Sequence, residues 1–180
     1  RRLIKKKGYE LPGLADEGGF GPKFRSNQEA LEILLEAIEE GGYAPGKEVS
    51  IGLDGASSHF YADGRYELAA EQRTLGSLQM ADMLEEWVAK YPLISIEDGM
   101  AEEDWEGWGI LSKKLRGRVQ LIGDDLFTTS AMRLQQGIDR GVANAVLVKV
   151  NQIGTLTETL ETVDLARRHG YLPVISARSG

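Results

Sequence analysis

Cysteine is missing from all 180 residues. That excludes a disulfide framework and any thiolate metal site; it suits a reducing compartment without proving one. No block of lysine and arginine follows the basic start Arg1-Arg2-Leu3-Ile4-Lys5-Lys6-Lys7. That start reads as the last turn of a helix, where cations complement the dipole. Acids outnumber bases, leaving a net charge of -7, which argues against nucleic acid as the main partner. An acidic chain that handles an anionic substrate needs local positive groups or metal ions at its site. Apolar runs fall far short of a membrane span, and nothing at the N-terminus resembles a signal peptide. No glycine-rich dinucleotide fingerprint opens a helix, which weakens a nucleotide-binding reading. The chain opens at Arg1 inside an expected helix and stops at Gly180 just past an expected strand, so it is read as a piece of a longer protein.

What is present supports one buried core, with 42% hydrophobic residues. Residues 8–25 hold five glycines and two prolines around Ala15-Asp16-Glu17-Gly18-Gly19-Phe20-Gly21-Pro22, a loop with two adjacent acids. Ser26-Asn27-Gln28-Glu29 has capping-box spacing. Leu31, Leu34, Leu35 and Ile38 continue it as a helix that stops at Gly41-Gly42. Five short apolar runs read as strands: 49–54, 93–97, 119–124, 145–148 and 171–176. Between them, helices are expected at about 77–91, 102–115, 131–140 and 155–169. The last is expected to turn Leu156, Leu160, Val163 and Leu165 or Ala166 inward. Residues 55–71 alternate polar and aromatic around Asp63-Gly64 and predict a hairpin excursion.

Alternation of this kind implies a parallel sheet with right-handed crossovers. A complete (β/α)8 barrel takes about 250 residues. Five strands therefore make a partial TIM-type α/β barrel, or an open doubly wound sheet.

Four consecutive strands close on charge: Asp54, Glu97, Asp124 and then Lys149. In a parallel barrel the strand C-termini share one face, where active sites sit. Three carboxylates converging there repel one another, and a hard divalent cation removes that cost. Oxygen ligands from separate strands, with positions left open, suit Mg2+ rather than zinc. Each acid alone also fits a helix N-terminus or a turn; the joint pattern carries the metal reading. Lys149 interrupts the apolar run Ala145-Val146-Leu147-Val148, so it is either paired with a carboxylate or poised as a base. A neutral lysine can remove a proton alpha to a carboxylate when a metal stabilises the resulting charge. Glu17 could oppose it as an acid that protonates a leaving hydroxyl, or be a surface loop acid. Arg178 and Ser179 suit phosphate or carboxylate recognition, or an exposed turn.

Taken together, Asp16-Glu17-Gly18-Gly19, Ile51-Gly52-Leu53-Asp54 with Ala56-Ser57-Ser58, Ser95-Ile96-Glu97-Asp98, Gly123-Asp124-Asp125-Leu126, Lys149-Val150-Asn151-Gln152-Ile153-Gly154-Thr155 and Ser176-Ala177-Arg178-Ser179-Gly180 resemble the enolase family along essentially the whole chain. The resemblance implies that residues 1–180 are part of its C-terminal barrel domain, with an N-terminal domain and the last barrel strands lying elsewhere. It implies reversible Mg2+-dependent dehydration of 2-phosphoglycerate to phosphoenolpyruvate in glycolysis and gluconeogenesis. Lys149 would take the C2 proton and Glu17 would assist loss of the C3 hydroxyl. Asp54, Glu97 and Asp124 would hold the metal. Glu97, Asp124, Lys149, Arg178 and Ser179 would line the substrate site. A cytoplasmic homo-oligomer with no nucleic-acid partner and no membrane span is implied as well. The chain departs from the family at Ala177, where histidine is usual, and at His59, where glutamate is common. The family's metal-covering serine loop and second active-site lysine have no counterpart in these residues, so the isolated piece is expected to be inactive.

Overall fold

The computed structural model describes residues 1–11, 13, 14 and 18–177. A short helix α1 (Arg2–Lys6) precedes α2 (Asn27–Glu40). The Ser26 hydroxyl accepts the Glu29 N–H at 3.1 Å, while the Glu29 carboxylate accepts from Arg25, one residue before the reciprocal partner of a standard capping box. Strand β1 (Ile51–Asp54) then leads into an antiparallel excursion of β2 (Tyr61–Ala62), β3 (Arg65–Leu68) and β4 (Arg73–Leu75). Asp63 and Gly64 both take positive φ, 50° and 76°, as a two-residue hairpin turn of this hand requires.

From there helix and strand alternate. They are α3 (Ser77–Lys90), β5 (Leu93–Glu97), α4 (Trp105–Leu115), β6 (Gln120–Gly123), α5 (Ala131–Arg140), β7 (Ala145–Val148), the single turn α6 (Val150–Ile153), α7 (Leu156–Arg168) and β8 (Leu172–Ile175). The main sheet is parallel in the order β1-β5-β6-β7-β8. Strand order never reverses. A doubly wound sheet must reverse at its switch point, so the winding is that of a barrel segment.

The two faces of the sheet differ. Ile96, Leu121, Val146 and Val148 point to the helices and join the main core around Trp108, Phe127 and Leu84. Ile122, Ala145 and Leu147 form a separate small cluster on the other face, with Val174 against it. That second face is the inner wall.

Two helix faces depart from expectation. On α7, Ala166 is buried and Val163 and Leu165 pack against the core as expected, but Leu156 and Leu160 are 63% and 57% exposed and Thr159 and Thr162 are buried instead. The Thr162 hydroxyl donates to the Thr129 carbonyl at 2.8 Å, and the Thr159 hydroxyl to the Thr155 carbonyl at 2.8 Å, so both buried threonines are satisfied. On α2, Leu31 enters the main core but Leu34 is exposed. The helix after β5 starts at Trp105 rather than 102, because Asp104 is its cap and accepts the Gly107 N–H at 2.9 Å. The other Asp104 oxygen takes the hydroxyls of Tyr66 and Ser77, which ties the excursion to α4. Burial and this carboxylate hold the Tyr66 phenol far above its ordinary range.

Phe127 is fully buried between Gly123 and Gly137. A Cβ at Gly137 would strike its ring, whereas one at Gly109 would meet nothing within 4 Å. Alanine raises helix propensity by about 1 kcal/mol over glycine. Gly109→Ala in α4 is therefore expected to stabilise by up to about 1 kcal/mol. Gly137→Ala in α5 should instead destabilise by about 1–3 kcal/mol through overpacking. Urea unfolding of both variants checks the contrast, and a stabilised Gly137→Ala would contradict this packing.

Candidate active site

Register places the charged strand ends. Asp54 pairs with Glu97, Glu97 with Ile122, and Ile122 with Ala145. Side chains along such a row share one face, and residues two apart on a strand share it too. Asp124 lies two beyond Ile122 and Lys149 four beyond Ala145, so all four charged groups belong to the inner wall at the C-terminal rim. The Lys149 ammonium Nζ meets Asp124 Oδ2 at 2.5 Å, with side chains 17% and 13% exposed. The structure thus gives Lys149 a carboxylate partner. Asp124 Oδ1 is buried and has no hydrogen-bond partner among the described residues. Asp54 stands at the open rim, its Oδ1 accepting the Ala56 N–H at 2.9 Å.

The carboxyl groups feel burial and one another. Glu97 is raised to about 7, first by burial, then by the charges of Asp54, Asp124 and Asp98, with Lys149 opposing. Asp54 is exposed as a residue, yet protein around its carboxyl still raises its pKa. Burial is the largest cause, the Ala56 N–H opposes it, and Asp124 adds to it.

Asp98 is the residue that sequence reasoning passed over. It is 2% exposed with φ at 40°. Its Oδ1 accepts the Asp124 N–H at 3.0 Å and its Oδ2 the Asp125 N–H at 2.8 Å. Its own N–H donates to the Ile122 carbonyl, and its carbonyl accepts from Ser57. One aspartate therefore binds together the ends of β5 and β6 and the loop after β1. Burial raises its pKa to about 7 against the pull of the two N–H groups. In the sequence it looked like one member of a Glu-Asp pair. The only signal that could have singled it out is its place directly after a strand-end acid.

Among the described residues, the close grouping of carboxylates that could hold an ion is Asp98, Asp124 and Asp125, with oxygens within 4.8 Å of one another. Asp54 and Glu97 stand outside that grouping. Asp98 commits both oxygens to backbone N–H groups, which makes it a brace for Asp124 rather than a free donor. Glu17, Arg178 and Ser179 lie outside the described residues. Ala177 and His59 are described, with Ala177 exposed beyond β8 and His59 in a 3-10 turn after β1.

The model of the family described as the enolase C-terminal TIM barrel domain matches residues 1–180. The chain belongs to this family. Membership points to an enzyme of lyase or isomerase type, and the strand order and inner-wall acids of this enolase-type barrel agree with it. Among the described residues no helix is long and apolar enough to cross a membrane.

The rim suits a hard divalent cation such as Mg2+. Its donors are carboxylate oxygens, one of them, Asp124 Oδ1, is buried without a hydrogen-bond partner among the described residues, and Glu97 is raised by burial first and by the neighbouring carboxylates next.

The pH dependence follows. Unfolded carboxyls titrate near pH 4, whereas folded metal-free Glu97 and Asp98 titrate at about 7. Between those values the folded state binds more protons, so these groups make stability fall as pH rises from about 4 to about 7 and level off above. Urea unfolding in EDTA should show a steeper fall over this window in the wild type than in Glu97→Gln, by on the order of 3 kcal/mol at most. Mg2+ at pH 7.5 should restore stability to the wild type more than to the variant. Identical pH profiles for the two proteins would contradict the reading of Glu97.

Proposed function

We propose that the protein carrying this chain is a phosphopyruvate hydratase, which reversibly dehydrates 2-phosphoglycerate to phosphoenolpyruvate. The observation that supports this most is the pairing of Lys149 with Asp124 on the inner wall, beside Glu97 and Asp54, at the C-terminal rim of the barrel segment. In this reading Asp54, Glu97 and Asp124 hold Mg2+, which when bound supplies Lewis-acid stabilisation of charge on the substrate carboxylate. The general scheme of a lysine base with Mg2+ is the one known for the enolase superfamily.

The chain's own groups then divide the work. Lys149 Nζ, held on the inner wall, takes the proton from C2 in its neutral form. Glu17 donates a proton to the departing C3 hydroxyl. Arg178 and Ser179 recognise the phosphate, with the guanidinium offering two parallel N–H donors. Glu97 and Asp124, with Asp54, would hold the cation, which would supply positive charge for the substrate carboxylate. Ala177 leaves out one substrate contact that histidine makes in the family. The reading extends to a cytoplasmic, homo-oligomeric enzyme of glycolysis and gluconeogenesis, with residues 1–180 as part of its barrel domain.

The test is phosphoenolpyruvate formation by the full-length protein and its Lys149→Ala variant. Removing the base should cost about 10²–10⁴-fold in turnover, with Mg2+ affinity by calorimetry retained. A variant that keeps near wild-type turnover would remove Lys149 from the chemistry. A wild type that ignores 2-phosphoglycerate but removes protons from sugar acids would assign it to another branch of the superfamily.

A further inference from the structure

The ladder between β6 and β7 stops early. It pairs Ile122 with Ala145 and Gly123 with Val146, and no further. Asp98 draws the N–H groups of Asp124 and Asp125 toward β5, and the chain turns there, with the Asp124 carbonyl accepting from Phe127 and Thr128. The last residues of β7 therefore lose their strand neighbour on that side. In a parallel ladder, the residue opposite Val148 would receive the N–H of Lys149 and donate to the carbonyl of Leu147. A side chain does this instead. The Thr129 hydroxyl accepts the Lys149 N–H at 2.9 Å, and its single proton is shared between the Leu147 carbonyl at 3.3 Å and Gln152 Oε1 at 3.0 Å.

Thr129 is fully buried, and its carbonyl is held by the Thr162 hydroxyl of α7. It takes φ of 55°, next to Thr128 at 49°. Two consecutive β-branched residues in the left-handed region are costly. Such strain persists only where surrounding contacts hold it, and it gathers at functional sites. Here it sets the hydroxyl at the point where β7 hands over to Lys149.

We infer that Thr129 is a positioning residue for Lys149: its hydroxyl replaces the missing strand neighbour and fixes the backbone from which the amine reaches Asp124. This rests on the proposal above for its effect on turnover, but not for its effect on the Lys149 backbone. The loop that opens at Asp124 closes on the main chain of Lys149 through Thr129, so the acid and the amine are set by one short segment. A misplacement of about an ångström at a reacting group can cost about 10²-fold in rate.

The test compares Thr129→Val, which keeps the shape and removes the hydroxyl, with Thr129→Ser, which keeps the hydroxyl, in the full-length protein. Thr129→Val should lower kcat for 2-phosphoglycerate by about 10–100-fold, with KM and Mg2+ affinity moved by less than about threefold. Thr129→Ser should recover kcat to within about threefold of wild type. Hydrogen exchange of the Lys149 amide should accelerate by about tenfold or more in Thr129→Val and little in Thr129→Ser. A wild type inert on 2-phosphoglycerate, combined with that exchange pattern, would sink the reaction assignment and leave the positioning role supported. Unchanged Lys149 exchange in Thr129→Val, native turnover in that variant, or a Thr129→Ser as impaired as Thr129→Val would overturn the inference. Should Thr129→Val fail to fold, Thr129→Ser decides alone, because a loss above about tenfold with the hydroxyl in place is incompatible with the role given to it.

Discussion

Negative charge confined at the C-terminal rim is the constraint around which the rest of this structure is arranged. Asp54, Glu97, Asp98 and Asp124 approach one another closely enough that burial and mutual repulsion raise three of them. A fold tolerates that only if the backbone beneath is held firmly and some positive partner is at hand. Lys149 is the partner the chain itself supplies. It compensates one carboxylate among the several described there, and an arrangement of oxygen donors like this is one that could hold a divalent cation.

The holding is done by backbone as much as by side chains. Asp98 bonds to two consecutive N–H groups at the end of β6 and, through its own main chain, to Ile122 and Ser57. Gly55 matters for the same reason: a Cβ there would lie 2.8 Å from the Asp98 carbonyl. On the outer side, the buried Asp104 network joins the three-stranded excursion to the helical layer through Tyr66 and Ser77. The excursion is thereby fixed to the layer that backs β5, not left as a loose appendage.

Several of the non-glycine residues with positive φ fall close to the rim, among them Ala56, Asp98, Thr128 and Thr129. Each costs conformational energy. Each is also tied to a specific contact made by the residue or its neighbour: Ala56 bonds to Asp54, Asp98 braces Asp124, and Thr129 holds Lys149. Irregular backbone is thus concentrated where charged groups must be aimed, while β7, which leads to Lys149, is buried along its whole length.

Much of the site was legible in the chain because strand ends are local features. An apolar run that closes on an acid announces both the strand and the acid's position on it, and Asp54, Glu97, Asp124 and Lys149 all occupy the inner wall as that pattern implies. Helix faces were read less well. On α7 the inward face was right at Val163, Leu165 and Ala166 but wrong at Leu156 and Leu160, which point outward while Thr159 and Thr162 point in, since hydrophobicity alone does not say which polar side chains will find buried hydrogen-bond partners. The sequence by itself determined the order of elements and the charge at each strand end, because periodicity and turn chemistry act over a few residues. Only the tertiary structure decided the direction of winding, the Asp124 oxygen left without a partner among the described residues, and the bracing by Asp98 and Thr129. Those bonds join residues 26 and 20 positions apart, and no local pattern records which distant backbone groups a side chain will satisfy.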